Sequence, residues 1–104
     1  MENLKARLLR KVREIDGVKD RPSPVSGGSA LFYRGKPFAH FHSDRELDLR
    51  LTKRVIRALN LSHPKGSLHH PNRSPNSAWI EVRFATIRDV NRAVELIRLA
   101  VAEL

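Results

Sequence analysis

The sequence predicts an α+β fold, a mainly antiparallel sheet of four to five strands in the order α-(β)-β-β-β-α-β-α, with the N- and C-terminal helices packed on one face. Three observations predict it. Two consecutive hairpin signals fill Leu31 to Leu51, an alternating run spans Ala78 to Phe84, and apolar residues recur at spacings of three and four near both ends of the chain. At 104 residues, the segment 1–104 reads as a single domain with room for one core.

In the first element, Glu2 to about Ile15, the apolar residues Leu4, Leu8, Val12 and Ile15 share one helix side, and Gly17 serves as its C-cap. The other side carries Lys5, Arg7, Arg10, Lys11 and Arg13; a solvated basic face is the reading preferred over a phosphate or membrane contact. Val18 to Arg21 adds a short strand, broken by Pro22, Pro24 and the run Ser26-Gly27-Gly28-Ser29. Those glycines are no phosphate loop, because they lead into a strand and lack the helix amino terminus that gives such loops their anion affinity.

In the first hairpin, Gly35 and Lys36 read as the central residues of a type II′ turn, with Gly35 supplying the positive φ. That pairing sets Tyr33 opposite Phe38, Phe32 opposite Ala39 and Leu31 opposite His40. The second hairpin reads as a three-residue loop, Ser43 to Arg45, since any one-residue slip mixes apolar with charged residues. It sets His42 opposite Glu46, Phe41 opposite Leu47, His40 opposite Asp48 and Ala39 opposite Leu49. The expected core face then carries Ala30, Phe32, Ala39, Phe41, Leu47, Leu49 and Leu51. The expected open face carries Leu31, Tyr33, Phe38, His40, His42, Glu46, Asp48 and Arg50.

Thr52 caps a short helix to about Leu59, and a long loop from Leu61 to Ser77 follows, holding His63, His69 and His70. In the last strand Ile80, Val82 and Phe84 face the core, while Trp79, Glu81 and Arg83 face away. The closing helix starts at Thr86 and Asp89, a capping box in which Asp replaces the preferred Glu or Gln, and its stripe runs from Val90 to Leu104.

With no cysteine, disulfides and thiolate metal sites are excluded. No apolar run reaches the length of a membrane span and the amino terminus is charged, so a cytoplasmic location is expected. A formal charge of +9 favours phosphate-bearing partners, nucleic acid included, although solubility alone also accounts for it.

The residues that stand out chemically are the ligand-binding candidates Tyr33, His40, His42, Asp48, His69, His70 and Trp79. His40 and His42 project from one strand face toward Asp48 and Glu46, and the loop can add His69 and His70. Imidazole and carboxylate suit zinc, with His40, His42 and His70 as the metal candidates; no cofactor is required by the pattern. The same groups fit a His-Asp acid–base pair, or simple cross-strand pairing worth under about 1 kcal/mol. No serine sits in a nucleophile elbow and no cysteine is present, so no catalytic residue is assigned and a non-enzymatic role is favoured. Three readings follow: a module holding a small or anionic ligand, a basic protein contacting nucleic acid, and a His-ligated metal-dependent enzyme.

One ordered set of motifs adds to this: Gly27-Gly28 before an aromatic strand, Arg34-Gly35-Lys36, Ala39-His40-Phe41-His42, Asp48-Leu49, His69-His70-Pro71, Ser77-Ala78-Trp79 and Asp89-Val90-Asn91-Arg92-Ala93. Over nearly the whole chain it resembles the small luciferase-like domain family, whose activity is unassigned. Ala78 stands where that family tends to have Gly, Leu51-Thr52 where it has a Pro-rich lead-in to the middle helix, and the loop after Leu61 is longer than usual. The resemblance implies an α+β domain and no particular reaction. It carries no expectation of light emission, because so short a chain leaves little room for a large cofactor site.

Overall fold

Strands that alternate apolar and polar residues, joined by short turns, pair with their sequence neighbours, and here they do so from one sheet edge to the other. The computed structural model describes residues 3–22, 28–62 and 77–104. Its elements are α1 (Leu4–Val12), β1 (Val18–Pro22), β2 (Ser29–Tyr33), β3 (Lys36–Ser43), β4 (Glu46–Arg50), α2 (Lys53–Ala58), β5 (Trp79–Arg83) and α3 (Ile87–Ala102). The sheet has five strands in the order β1-β2-β3-β4-β5, and every pairing is antiparallel. The α+β expectation is met, including the position of the first and last helices.

One face of the sheet is closed by α1 and α3. Leu8 and Val12 of α1 and Val90, Ala93, Ile97 and Ala100 of α3 join Leu31, Ala39, Phe41, Leu47, Leu49 and Ile80 in one buried cluster. Burying each of the larger of these side chains contributes roughly 1.5–3 kcal/mol. Phe41 meets Phe84 edge to face at 6.3 Å, and the Lys5 ammonium lies 5.0 Å from the Phe41 ring.

The second hairpin has the expected pairs, Ala39 with Leu49, His40 with Asp48 and Phe41 with Leu47. Its end differs slightly: Ser43, and not His42, faces Glu46, and the ladder shifts between Phe41 and Ser43. His42 is thus the extra residue of a bulge beside the turn.

The first hairpin corrects the expectation. Tyr33 pairs with Lys36, so the turn residues are Arg34 and Gly35, with φ of 52° and 83°. Positive φ at both central positions is the type I′ geometry, whose twist matches that of the flanking strands. The pairing then shifts between Leu31 and Phe32, leaving Leu31 opposite Ala39 and Ala30 opposite His40. Leu31 and Phe38, expected on the open face, are therefore core residues with no exposure. Phe32, expected inside, pairs with Pro37 and is only half-buried.

Helix ends follow from local chemistry. The Ala6 N–H donates to Asn3 Oδ1 at 2.7 Å, capping α1, which ends at Val12 before Ile15. The Asp89 N–H donates to Thr86 Oγ1 at 3.1 Å, and Asp89 accepts in turn from the Ala85 N–H at 2.9 Å, so the shorter acid reaches the residue before the cap. Thr52 caps α2 with φ of 77°, an uncommon conformation for a β-branched residue. It is held by N–H donation to the Ala78 carbonyl and by its hydroxyl to Glu103, which Arg54 also bonds. Among the described residues no helix is long and apolar enough to cross a membrane.

Candidate functional site

Because side chains alternate along a strand, the face turned away from α1 and α3 is fixed by register. One row of mutually opposed residues crosses all five strands: Arg21, Ala30, His40, Asp48 and Glu81. Beside it Lys19 opposes Phe32 at one edge, and Arg50 opposes Trp79 at the other. This open face divides by charge.

Toward β4 and β5 two carboxylates are withdrawn from water, beside Arg50 and Arg83. Asp48 is 5% exposed and Glu81 4%, and an ionised carboxylate tolerates such burial only when other groups compensate it. For Glu81, Arg83 does so from the same strand face, its Nη2 lying 3.0 Å and its Nε 3.2 Å from Oε2. The His40 ring stacks on Trp79, with centroids 5.5 Å apart and planes 17° from parallel. One step along, the bulge turns His42 toward Glu46 and Glu81. A ligand atom from each of these residues lies within 4.8 Å of the other two.

Toward β1 and β2 the charges are basic and solvated. A cavity of about 550 Å³ is lined by Gly17, Lys19, Arg21, Phe32, Arg34 and Gly35. Lys19 and Arg21 are exposed, and among the described residues neither makes an ion pair. Their neighbour Asp20 points the other way, to the α1 side, where it accepts hydrogen bonds from Arg13 at 2.8 and 3.0 Å. That guanidinium holds the Asp20 carboxyl below the usual carboxylate range.

Of the residues singled out from sequence, His40, Asp48 and Trp79 stand together, and His42 stands beside them with Glu46 and Glu81. Tyr33 is elsewhere. The first-hairpin shift turns it to the helix side, where its ring lies so close to Gly17 that a Cβ there would sit 2.9 Å from Cε1. His69 and His70 lie outside the described residues, as do His63, Pro24 and Ser26-Gly27. Glu46 is legible from the hairpin register as the cross-strand neighbour of His42, whereas Glu81 is legible only as an open-face residue, because the bulge that turns His42 toward it has no sequence mark. Phe32, expected in the core, lines this open face instead, and Lys19 and Arg21 join it through the alternation Val18-Lys19-Asp20-Arg21, which separates the two sides.

The structure thus defines a class: an α+β domain with helices on one sheet face and an open face carrying imidazole, carboxylate, aromatic and basic groups. The luciferase domain family matches residues 35–100, well over half of the chain, and the chain belongs to that family. No curated protein and no solved structure gives a significant match. The matched span contains His40, His42, Glu46, Asp48, Trp79 and Glu81, whereas Lys19, Arg21, Phe32 and Arg34 precede it.

Proposed function

We propose that this domain is a binding module that holds a small organic anion on its open sheet face. The anionic group meets Lys19, Arg21 and Arg34, and a flat or apolar body lies against Phe32. The cavity of about 550 Å³ between these side chains carries the reading, because it falls in the size range of small-molecule sites and combines an aromatic wall with cations. Charge-assisted hydrogen bonds of this kind contribute about 1.5–3 kcal/mol each when made. The carboxylates Glu46, Asp48 and Glu81 repel an anion from the other half of the face, so the charge distribution also sets the ligand's orientation. His40, on the middle strand β3 and stacked on Trp79, shares the open face but does not line the cavity.

Contact with nucleic acid through α1 is the weaker alternative. Two cations of that helix face are already occupied, Arg13 by Asp20 and Lys5 by the Phe41 ring.

An NMR titration with phenyl phosphate, with inorganic phosphate in parallel, tests the proposal. Expected are saturable shifts at Lys19, Arg21, Phe32 and Gly35, tighter for phenyl phosphate, and a loss of affinity of about tenfold or more in Arg21→Glu. Shifts spread over α1 and α3, or equal affinity for the two probes, would refute it.

A further inference from the structure

We infer that His42, Glu46 and Glu81 form a site for one divalent transition-metal ion, separate from the anion cavity and independent of it. The donor set is one imidazole nitrogen and two carboxylate oxygens, drawn from β5, the start of β4 and the bulge at the end of β3. Their ligand atoms lie within 4.8 Å of one another. Ligand atoms around a zinc ion about 2.0–2.2 Å away stand roughly 3–3.5 Å apart, so binding requires the three atoms to draw together by about 1 Å or a little more.

Burial supplies a second, independent observation. His42 Nδ1 and Glu46 Oε1 are both sealed from solvent, and Glu81 is 4% exposed. Two carboxylates brought this close in a shielded place repel each other, and a cation between them is one of the few arrangements that stabilises both. Arg83 reaches Glu81 Oε2 at 3.0 Å from the exposed side. A divalent ion placed among these atoms takes both carboxylates and the imidazole as ligands.

The chemistry of the set selects the ion. Imidazole favours zinc, iron and nickel, whereas carboxylates favour manganese, magnesium and calcium, so a mixed set suits a first-row divalent ion such as zinc or manganese. Three protein ligands leave coordination positions open to water or to a ligand on the sheet face. This set differs from the one read from the sequence, His40, His42 and His70. His40 is engaged with the Trp79 ring, and His70 lies outside the described residues.

The experiment uses the full chain, stripped with chelator and titrated with Mn²⁺ under electron paramagnetic resonance and with Zn²⁺ by calorimetry. One ion per chain is expected. Affinity should fall about 10–100-fold in His42→Ala and in Glu81→Gln, and stay unchanged in His40→Ala. If Glu81→Gln does not fold, as judged by circular dichroism, Glu46→Gln at the half-exposed position carries the same expectation. The inference is overturned by absence of stoichiometric binding of either ion, or by binding that survives His42→Ala and Glu46→Gln.

Discussion

The two halves of the open sheet face hold their charges in different environments, solvated cations on one side and buried carboxylates flanked by arginines on the other. Lys19 and Arg21 stand in solvent, without ion pairs among the described residues, whereas Asp48 and Glu81 are almost fully buried. The difference separates charge that the fold depends on from charge that it can spare. A buried carboxylate is coupled to its neighbours, so changing one of them is felt as stability. An exposed cation interacts mainly with water, so changing it is felt chiefly by whatever binds there.

The first expected effect is on the acidic half. Arg83→Ala leaves the Glu81 carboxylate buried without the guanidinium 3.0 Å away, at a cost of about 1–3 kcal/mol. Because 45% of the Arg83 side chain is exposed, water replaces part of the interaction and the lower end of that range applies. Urea denaturation measures it. Adding Glu81→Gln to the same variant should recover part of the loss, since the stranded charge is then gone. A double variant less stable than Arg83→Ala by the full single-variant cost of Glu81→Gln would show that the two side chains are not coupled.

The next effect concerns the place where the halves join. Gly28 leads into β2 beside β3, and a Cβ there would meet the Phe41 carbonyl oxygen at 2.7 Å. Backbone on both sides leaves little room for adjustment, so Gly28→Ala should destabilise by about 1–3 kcal/mol. Ala at Gly35 meets nothing within 4 Å, and its effect should come from the φ of 83° alone. A thermal melt of both variants separates close approach from backbone conformation.

How much of this was legible depended on which physical constraint fixed each element. The second hairpin could be read because its apolar residues alternate on both strands, so only one register keeps Phe41 and Leu47 together and His40 beside Asp48. The first hairpin is ambiguous in sequence because both Arg34-Gly35 and Gly35-Lys36 satisfy a two-residue turn. What decided between them was a bulge at Phe38, which sends an aromatic residue into the core and lets Leu31 follow Ala39. Bulges also explain the site. The pair His40–Asp48 follows from simple alternation, whereas the approach of His42 to Glu81 depends on the extra residue at the end of β3, which no spacing rule reveals.

An acid-dependent loss of stability is expected on the helix side of β1 and at the start of α3. Asp20 is held below its ordinary value by the Arg13 hydrogen bonds, and Asp89 by the Ala85 N–H. A carboxyl depressed on folding contributes stability that is present above its unfolded value, about 3.9, and lost as pH falls through the lower folded value. Melting temperature should therefore drop below about pH 4. In Arg13→Ala that drop should be shallower, because the Asp20 contribution is already absent at neutral pH. An unchanged acid limb in Arg13→Ala would assign the loss to other groups.

The smallest effect on stability, and the one that tests the contrast most directly, belongs to the basic half. Lys19→Ala and Arg21→Ala remove exposed cations with no ion pair among the described residues, and each should change stability by no more than about 0.5 kcal/mol. A slight gain is even expected, since removing positive charge from a chain of net charge +9 lowers its self-repulsion. Binding of phenyl phosphate should nevertheless weaken in both. The contrast with Arg83 then takes a measurable form: one arginine of the open face changes unfolding, another changes only affinity. If Lys19→Ala destabilises the fold as much as Arg83→Ala does, the cations of β1 are part of the scaffold, and the cavity they line loses its claim to be a site.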